Sequence, residues 1–288
     1  MNKKAFSLIE LSIVILIIGL IIVGVTQSSI IYSKFKLINA KTLTESSPVS
    51  SIKNLKLWYE TTLDRSFLAD ETENNTAIST WYDINHHNPV KDDATQSNAS
   101  EKPLYIKDAF DGTIPGVRFD GTDDFVSFGG QYLVNSNYTI FVVEQRRSNK
   151  TENYYLSGTS GDSANRNLIL GYQSNTNHFS AHYSFPVSHA FSGYSTPIAR
   201  IHTHRLSSTD GRSYWVNGGG TADASNVSHT GHLLELNSPS LGKKYTTVAP
   251  RYYNGDLGEV IIYNRALKKE ERQEIEGYLS KKYGIIIE

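Results

Sequence analysis

The sequence predicts a long N-terminal helix followed by an all-β sandwich that ends in a second helix. An apolar run of twenty residues opens the chain, from Phe6 to Val25. Short apolar alternations between turn residues follow, and helical spacing returns only from about Leu267 to Tyr283. Since the helical crossovers that parallel strands need are missing from this pattern, the alternations favour antiparallel sheets packed face to face.

The apolar run is long enough to cross a membrane. As a helix it would span about 30 Å, which is the thickness of a hydrocarbon core. Lys3 and Lys4 precede the run and favour a cytoplasmic N-terminus, with the rest of the chain on the other side. Glu10 is the one charge within the run, and a carboxylate in a membrane is costly unless a partner neutralises it. We therefore expect Glu10 to have a partner.

The residues from Lys3 to Leu20 resemble the N-terminus of type IV pilins and pseudopilins. The resemblance implies that a prepilin peptidase cleaves between Ala5 and Phe6, although Ala5 replaces the usual Gly, and that Phe6 is then N-methylated. It also implies that Glu10 faces the amino terminus of a neighbouring pilin-like subunit and helps to direct filament assembly. Gln27 stands where major pilins commonly carry Pro, so the chain looks more like a minor pilin or a pseudopilin.

These features divide the chain into four parts: a prepilin leader (1–5), a transmembrane helix (6–25), a stalk helix with a linker (26–51) and a sandwich (52–288). The helix is expected to continue to about Glu45, because Ser46, Ser47 and Pro48 end its apolar face. The protein is then expected in the inner membrane before assembly and in a pilus or pseudopilus afterwards. Its sandwich would lie in the periplasm or at the cell surface.

Composition narrows the classes of partner. The 28 Lys and Arg residues are balanced by 29 Asp and Glu residues, so no nucleic acid partner is expected. The chain has no cysteine, and burial must stabilise its exported domain without disulfides. Its 18 Tyr, 11 Phe and 21 Gly residues are typical of sheets and turns.

The strands are expected at short alternating segments: 55–59, 116–119, 125–128, 138–143, 167–172, 179–185, 201–206, 213–216 and 257–263. A long polar loop, from Ala69 to Lys102, interrupts them and is a candidate for a functional or mobile segment. The closing helix begins with acidic residues and ends with Lys281 and Lys282, which complement its dipole, and Gly284 is a plausible C-cap.

Four segments resemble those of a concanavalin A-like, laminin-G-type (LamG) jelly roll and occur in the order that this family has. They are 81–83, 115–124, 214–218 and 255–267. The resemblance covers roughly Leu55 to Ile287 and implies a fold that hosts lectins, glycan-binding modules, adhesion modules and some glycoside hydrolases. The paired acids of laminarinase-type hydrolases do not occur in this sequence, nor does a nucleophile elbow or a phosphate loop. We therefore predict that the protein is not an enzyme.

Three carboxylates crowd one turn of this sequence: Asp120, Asp123 and Asp124. Oxygen ligands at this density could hold Ca²⁺, whereas the alternative is a turn whose carboxylates accept hydrogen bonds from its own backbone. His202 and His204 share one face of a predicted strand, which suits a metal ligand pair or ordinary packing.

Several tyrosines are candidates for stacking on sugar rings, although a sandwich core needs the same residues. They are Tyr154, Tyr155, Tyr172, Tyr183 and Tyr194.

Together these observations predict a minor, pilin-like subunit that presents a lectin-like sandwich for adhesion to a glycan or to another host or cell-surface ligand. A pseudopilin of a type II secretion system is the first alternative. A membrane-anchored carbohydrate-active enzyme is the second.

Overall fold

The computed structural model describes residues 8–158, 163–182, 184–245 and 250–287. Helix α1 spans Leu8–Glu45, a length of 38 residues, and ends where the sequence predicts. The predicted cleavage site at Ala5 and Phe6 lies outside the described residues, as does the side chain of Glu10. Within the described part of the chain, no helix is long and apolar enough to span a membrane, so the predicted transmembrane segment is not confirmed.

The described side chains of helix α1 contact the rest of the protein near its C-terminal end. Upstream, the described apolar side chains are exposed; Leu16 is 64% exposed and Phe35 is 68% exposed. Ala40 and Thr44 are each 1% exposed, because they face the second helix and the sandwich. The helix therefore projects from the domain with these described apolar side chains uncovered.

The described residues after α1 form nineteen strands and one further α-helix. The strands are β1 (Leu55–Tyr59), β2 (Thr76–Ala77), β3 (Thr80–Trp81), β4 (Ala94–Thr95), β5 (Leu104–Phe110), β6 (Ile114–Asp120), β7 (Val126–Ser127), β8 (Tyr138–Arg146), β9 (Asn153–Ser157), β10 (Ile169–Ser174), β11 (Asn177–His182), β12 (Ser184–Ala190), β13 (Arg200–Ser207), β14 (Gly211–Val216), β15 (Ala224–Asn226), β16 (Ser240–Leu241), β17 (Lys243–Lys244), β18 (Arg251–Tyr252) and β19 (Asn254–Tyr263). Helix α2 spans Lys269–Tyr283, and short 3-10 turns lie at Asp64–Ser66, Ala69–Glu71, Ala99–Glu101 and Gln131–Leu133.

Two antiparallel sheets make up the sandwich. The larger has the order β15-β14-β13-β8-β19-β6-β5-β2, and β1 also pairs with β19. The smaller has the order β12-β11-β10-β9-β16-β7-β4-β3. Antiparallel pairing throughout both sheets agrees with the predicted sandwich, since no pairing between named strands is parallel among the described residues.

The larger sheet is covered on both faces, which gives the protein two apolar cores. Tyr138, Ile140 and Val142 of β8 face the smaller sheet. The intervening side chains Phe141 and Val143 face α2 and the end of α1. All nine residues of β8 are consequently buried, as expected for a central strand between two layers.

Two boundaries differ from the sequence-based expectation. The segment from Ala69 to Lys102, predicted as a long loop, contains β2, β3 and β4, which are each two residues long and too short to show a period. Helix α2 begins at Lys269 rather than Leu267, while the predicted C-cap Gly284 is confirmed by its φ of 66°.

Candidate functional site

The three carboxylates singled out in the sequence lie together at the end of β6. Their nearest ligand oxygens are within 4.8 Å of one another. Asp120 Oδ1 accepts hydrogen bonds from the backbone N–H groups of Thr122 (2.7 Å) and Asp123 (3.3 Å). Asp124 Oδ2 accepts from the N–H of Asp120 at 2.9 Å. The carboxylates thus stabilise their own turn, as in the alternative interpretation, and each retains an oxygen for a cation.

The electrostatics of this acidic turn favour a positive ligand. Burial is the largest influence on Asp124, and the charges of Asp120 and Asp123 add to it, which raises the pKa of the Asp124 carboxyl to about 7. A hydrogen bond from the backbone of Asp120 acts in the opposite direction. Carboxylate oxygens are the ligand type that Ca²⁺ prefers, and a cation here would relieve the repulsion between the three carboxylates. Among the described residues, this is the one cluster of potential metal ligands.

A polar groove of about 500 Å³ lies beside the acidic turn. It is formed where β3, β4 and β7 meet at the edge of the smaller sheet. Its lining is Ser79, Thr80, Thr95, Gln96, Ser97, Phe125 and Ser127. This is a row of hydroxyl and amide groups beside one half-buried aromatic ring, an arrangement suited to hydrogen bonding and apolar contact with one small ligand.

Phe125 links the groove to the acidic turn, because it lines the groove and follows Asp124 directly in the chain. The side chain of Gln96 donates a hydrogen bond from Nε2 to the carbonyl of Phe125 at 3.2 Å. The Nζ of Lys243 lies 3.8 Å from the centre of the Phe125 ring, which follows Asp124 directly in the chain. A change in the acidic turn would therefore reach the groove through Phe125.

The structure places the predicted sugar-stacking tyrosines mostly in the core. Tyr154, Tyr155 and Tyr172 are at most 3% exposed, so the prediction that these three stack on an external sugar is wrong. Tyr183 lies outside the described residues. Tyr194 is half-buried, and the guanidinium of Arg146 lies 5.7 Å from its ring centre.

His202 and His204 also belong to the core, as the packing interpretation expected. The Nε2 of His202 lies 2.8 Å from Glu144 Oε1, and its Nδ1 lies 2.6 Å from the hydroxyl of Tyr214. The Nε2 of His204 lies 2.8 Å from the hydroxyl of Tyr155. These rings are fully buried and are not part of a metal cluster among the described residues.

Glu144 is a buried carboxylate that the sequence analysis missed. It lies on β8 at 0% exposure and accepts hydrogen bonds from the hydroxyls of Tyr172 (2.7 Å) and Tyr253 (2.5 Å) as well as from His202. Burial opposes its ionisation, but the hydrogen bonds and the nearby positive charge outweigh burial and lower the pKa of Glu144. The only signal in the sequence is a charge inside an apolar strand. Glu144 and its three partners are all at 0% exposure, so this hydrogen-bond network lies in the interior of the sandwich.

Comparison with known proteins establishes the fold and no family. No family model matches the chain, and no curated protein matches it in sequence. A Trypanosoma rangeli sialidase in complex with sialic acid is similar in structure with a TM-score of 0.53 at 15% identity, over 89% of this chain and 38% of the sialidase. This chain therefore spans little more than a third of the sialidases that it matches.

Two other solved structures are similar. Domain 4 of AbnA, a GH43 extracellular arabinanase from Geobacillus stearothermophilus, in complex with arabinotriose, has a TM-score of 0.51 at 15% identity. The match covers 77% of this chain and 98% of that domain. The binding domain of Paraclostridial Mosquitocidal Protein 1 has a TM-score of 0.52 at 13% identity, over 79% of this chain and 52% of that one.

These matches correct one prediction. The expectation that the protein is not an enzyme is contradicted, because sialidases, including a mutant that displays trans-sialidase activity, share its fold over part of their length. The missing laminarinase pattern excludes one arrangement of catalytic acids and does not exclude catalysis. What the comparisons do establish is a β-sandwich of the jelly-roll kind that occurs in proteins acting on or binding carbohydrates.

Proposed function

We propose that the protein is a pilin-like subunit whose N-terminal helix enters a filament and whose sandwich binds a glycan. The observation that carries this proposal is the architecture: a 38-residue helix with exposed apolar side chains projects from a sandwich that resembles carbohydrate-binding domains. A monomer that exposes so long an apolar surface requires a partner to cover it. Neighbouring subunits in a filament, and the membrane before assembly, would provide that cover.

The polar groove is the surface best suited to the glycan. Saccharides present hydroxyl groups that both donate and accept hydrogen bonds, and the serine, threonine and glutamine side chains of the groove can do the same. Phe125 supplies an apolar patch for the C–H face of a sugar ring. Ca²⁺ in the acidic turn would neutralise the carboxylates that precede Phe125 and hold this side of the groove in place.

The filament part is tested by the mass of the mature N-terminus. Coexpression of the full chain with a prepilin peptidase is expected to yield a product that begins at methylated Phe6. Glu10→Ala is expected to leave this cleavage intact and to lower incorporation into filaments, because the amino terminus of the neighbouring subunit loses its partner. An intact Met1 in the presence of the peptidase would contradict the proposal. A loss of protein secretion on deletion of the gene would instead favour the pseudopilin.

The glycan part is tested by removing hydroxyls from the groove without changing its shape. Thr80→Val and Thr95→Val are expected to weaken binding to the saccharide selected on a glycan array by roughly threefold to tenfold each, the value of one hydrogen bond. Isothermal titration of the full chain in detergent measures the effect.

Thr151→Val is the matched control, because Thr151 is exposed and does not line the groove. Equal affinities for the groove variants and the control would contradict the assignment of this groove. The same titration in EDTA, and with Asp123→Asn, tests the acidic turn: both are expected to weaken binding if Ca²⁺ supports Phe125. Release of a new reducing end during the titration would reveal turnover of the saccharide.

A further inference from the structure

A second, smaller cleft lies on the outer face of the larger sheet, where β13 and β14 meet the first turn of α2. Its volume is about 220 Å³. Four of its lining side chains carry a positive charge: Arg205, Lys268, Lys269 and Arg272. The indole of Trp215 forms part of its wall, with the guanidinium of Arg272 4.2 Å from the ring centre. This cationic cleft is separate from the polar groove, which lies on the other sheet.

Two of the four charges are already paired. Arg205 donates to Asp210 at 2.7 Å, and Arg272 donates two hydrogen bonds to Glu276. The ammonium groups of Lys268 and Lys269 are exposed, and no ion pair to either is found among the described residues. The cleft therefore keeps an excess of positive charge at its mouth.

One hydrogen-bond donor in the wall of the cleft lacks an acceptor among the described residues. Trp215 is 8% exposed, and its indole N–H is buried with no partner. A buried donor left in this state destabilises a protein. Among the side chains that line the cleft, the guanidinium and ammonium groups cannot accept a hydrogen bond, and the hydroxyl of Ser213 is the one that could.

The first turn of α2 borders the same cleft. The N-cap residue is Lys268, whose ammonium group can only donate, where an Asp, Asn, Ser or Thr side chain would accept from the helix N–H groups. The carboxylate of Glu271 is engaged with the N–H of Lys268 and with Arg265. Because the helix dipole adds positive potential at this end, the cleft is built to receive an oxyanion.

We propose that the cationic cleft binds the carboxylate or sulfate group of an acidic saccharide. This inference rests on the proposed glycan binding and adds the class of glycan. The oxyanion would accept hydrogen bonds from Trp215, from the first turn of α2 and from Lys269, while the apolar faces of Trp215 and Leu267 would contact the attached sugar ring. The small volume suits one charged group with its ring rather than an extended chain.

The test compares two probes of nearly the same shape on the full chain. Titration with glucuronate is expected to give an affinity roughly tenfold higher than titration with glucose, and the difference is expected to shrink with added salt. The double variant Lys268→Gln with Lys269→Gln is expected to abolish the preference. Lys281→Gln, an exposed lysine at the other end of the same helix, is the matched control and is expected to retain it.

The outcomes separate this inference from the function on which it rests. Equal affinities for glucuronate and glucose, or equal effects of the double variant and of Lys281→Gln, would overturn the cationic cleft. Binding of inorganic sulfate without any preference for glucuronate would overturn the saccharide as its ligand. Thr80→Val and Thr95→Val weaken neutral saccharides alone if the polar groove is correct; binding to no saccharide at all would refute the proposed function itself.

Discussion

Three buried histidines are expected to lower the free energy of unfolding by up to about 4 kcal/mol when the pH falls from about 7.5 to about 5.5. Burial lowers the pKa of His178, His182 and His204 well below the ordinary value, and neighbouring positive charges add to the effect. In the unfolded chain the same side chains bind protons at about pH 6.5. The contribution of these histidines to the free energy of unfolding is therefore complete above that pH. Below it, the free energy of unfolding falls by about 1.4 kcal/mol per histidine for each further pH unit.

His178→Phe isolates one of these contributions. The phenyl ring can retain the stacking on His202 and Tyr214, whose ring centres are each 4.6 Å away. The hydroxyl of Tyr155 loses one partner but keeps His204 at 2.8 Å. Urea unfolding at both pH values is expected to show a pH-dependent loss smaller by up to about 1 kcal/mol in this variant.

A comparison between variants is necessary because some carboxyls act in the opposite direction, and Asp124 is an example. The pKa of Asp124 is raised to about 7, so its contribution to stability increases as the pH falls through that value. Ile201→Val, which removes a methylene group from a fully buried side chain that does not titrate, is the control. It is expected to lower stability equally at both pH values. A pH dependence of His178→Phe identical to that of the unmodified chain would refute the prediction.

Sequence periodicity predicted the orientation of an element where one face is buried and the other is exposed. It could not do so where both faces are buried. The strand predicted at 138–143 corresponds to β8, but all nine residues of β8 are buried, so alternation could not indicate which face meets the other sheet. The same ambiguity explains the tyrosines. Tyr155 and Tyr172 were candidates for an exposed stacking face, yet both are fully buried. Tyr155 packs in the core between the sheets, and the hydroxyl of Tyr172 donates to Glu144 of the larger sheet.

The charged side chains show a further limit. Lys281 and Lys282 were both expected to complement the dipole at the end of α2, and the structure separates them: Lys281 is exposed and Lys282 is buried. Burial of Lys282 depends on Glu60 and Glu259, which lie far from it in the sequence. The acidic turn was found because its three carboxylates are close in sequence. The groove and the cationic cleft could not be found from the sequence, because each is formed by segments that are distant in the chain.

Lys282→Met is expected to lower the free energy of unfolding by about 3–5 kcal/mol, the usual effect of removing one partner from a buried ion pair. The ammonium of Lys282 lies 3.0 Å from Glu60 Oε2 and 2.8 Å from Glu259 Oε2, and all three side chains are at 0% exposure. Burial opposes the charge on Lys282, but the two carboxylates outweigh it and raise the pKa of the amine. Methionine has a similar length and no charge, so the variant leaves two buried carboxylates without a counter-ion.

The two carboxylates differ in how strongly their surroundings stabilise the ionised form. Burial is the largest influence on both. For Glu60, Lys282 and hydrogen bonds from Thr62 and Ser66 outweigh it and lower the pKa. For Glu259, burial and the charge of Glu60 prevail and raise the pKa. We therefore expect Glu259→Gln to recover part of the stability lost in Lys282→Met, because the neutral amide removes the less well compensated charge.

This ion triad also joins the two parts of the protein. Glu259 accepts hydrogen bonds from Trp58 of β1 at 2.6 Å and from Tyr278 of α2 at 2.9 Å, and the hydroxyl of Tyr278 lies 3.2 Å from Thr44 Oγ1 near the end of α1. Lys282→Met should therefore loosen the attachment of α1, seen as faster hydrogen exchange around Thr44. Lys281→Met, at the exposed neighbour, is expected to change stability by less than about 0.5 kcal/mol. Equal losses in the two variants would mean that the triad does not stabilise this junction.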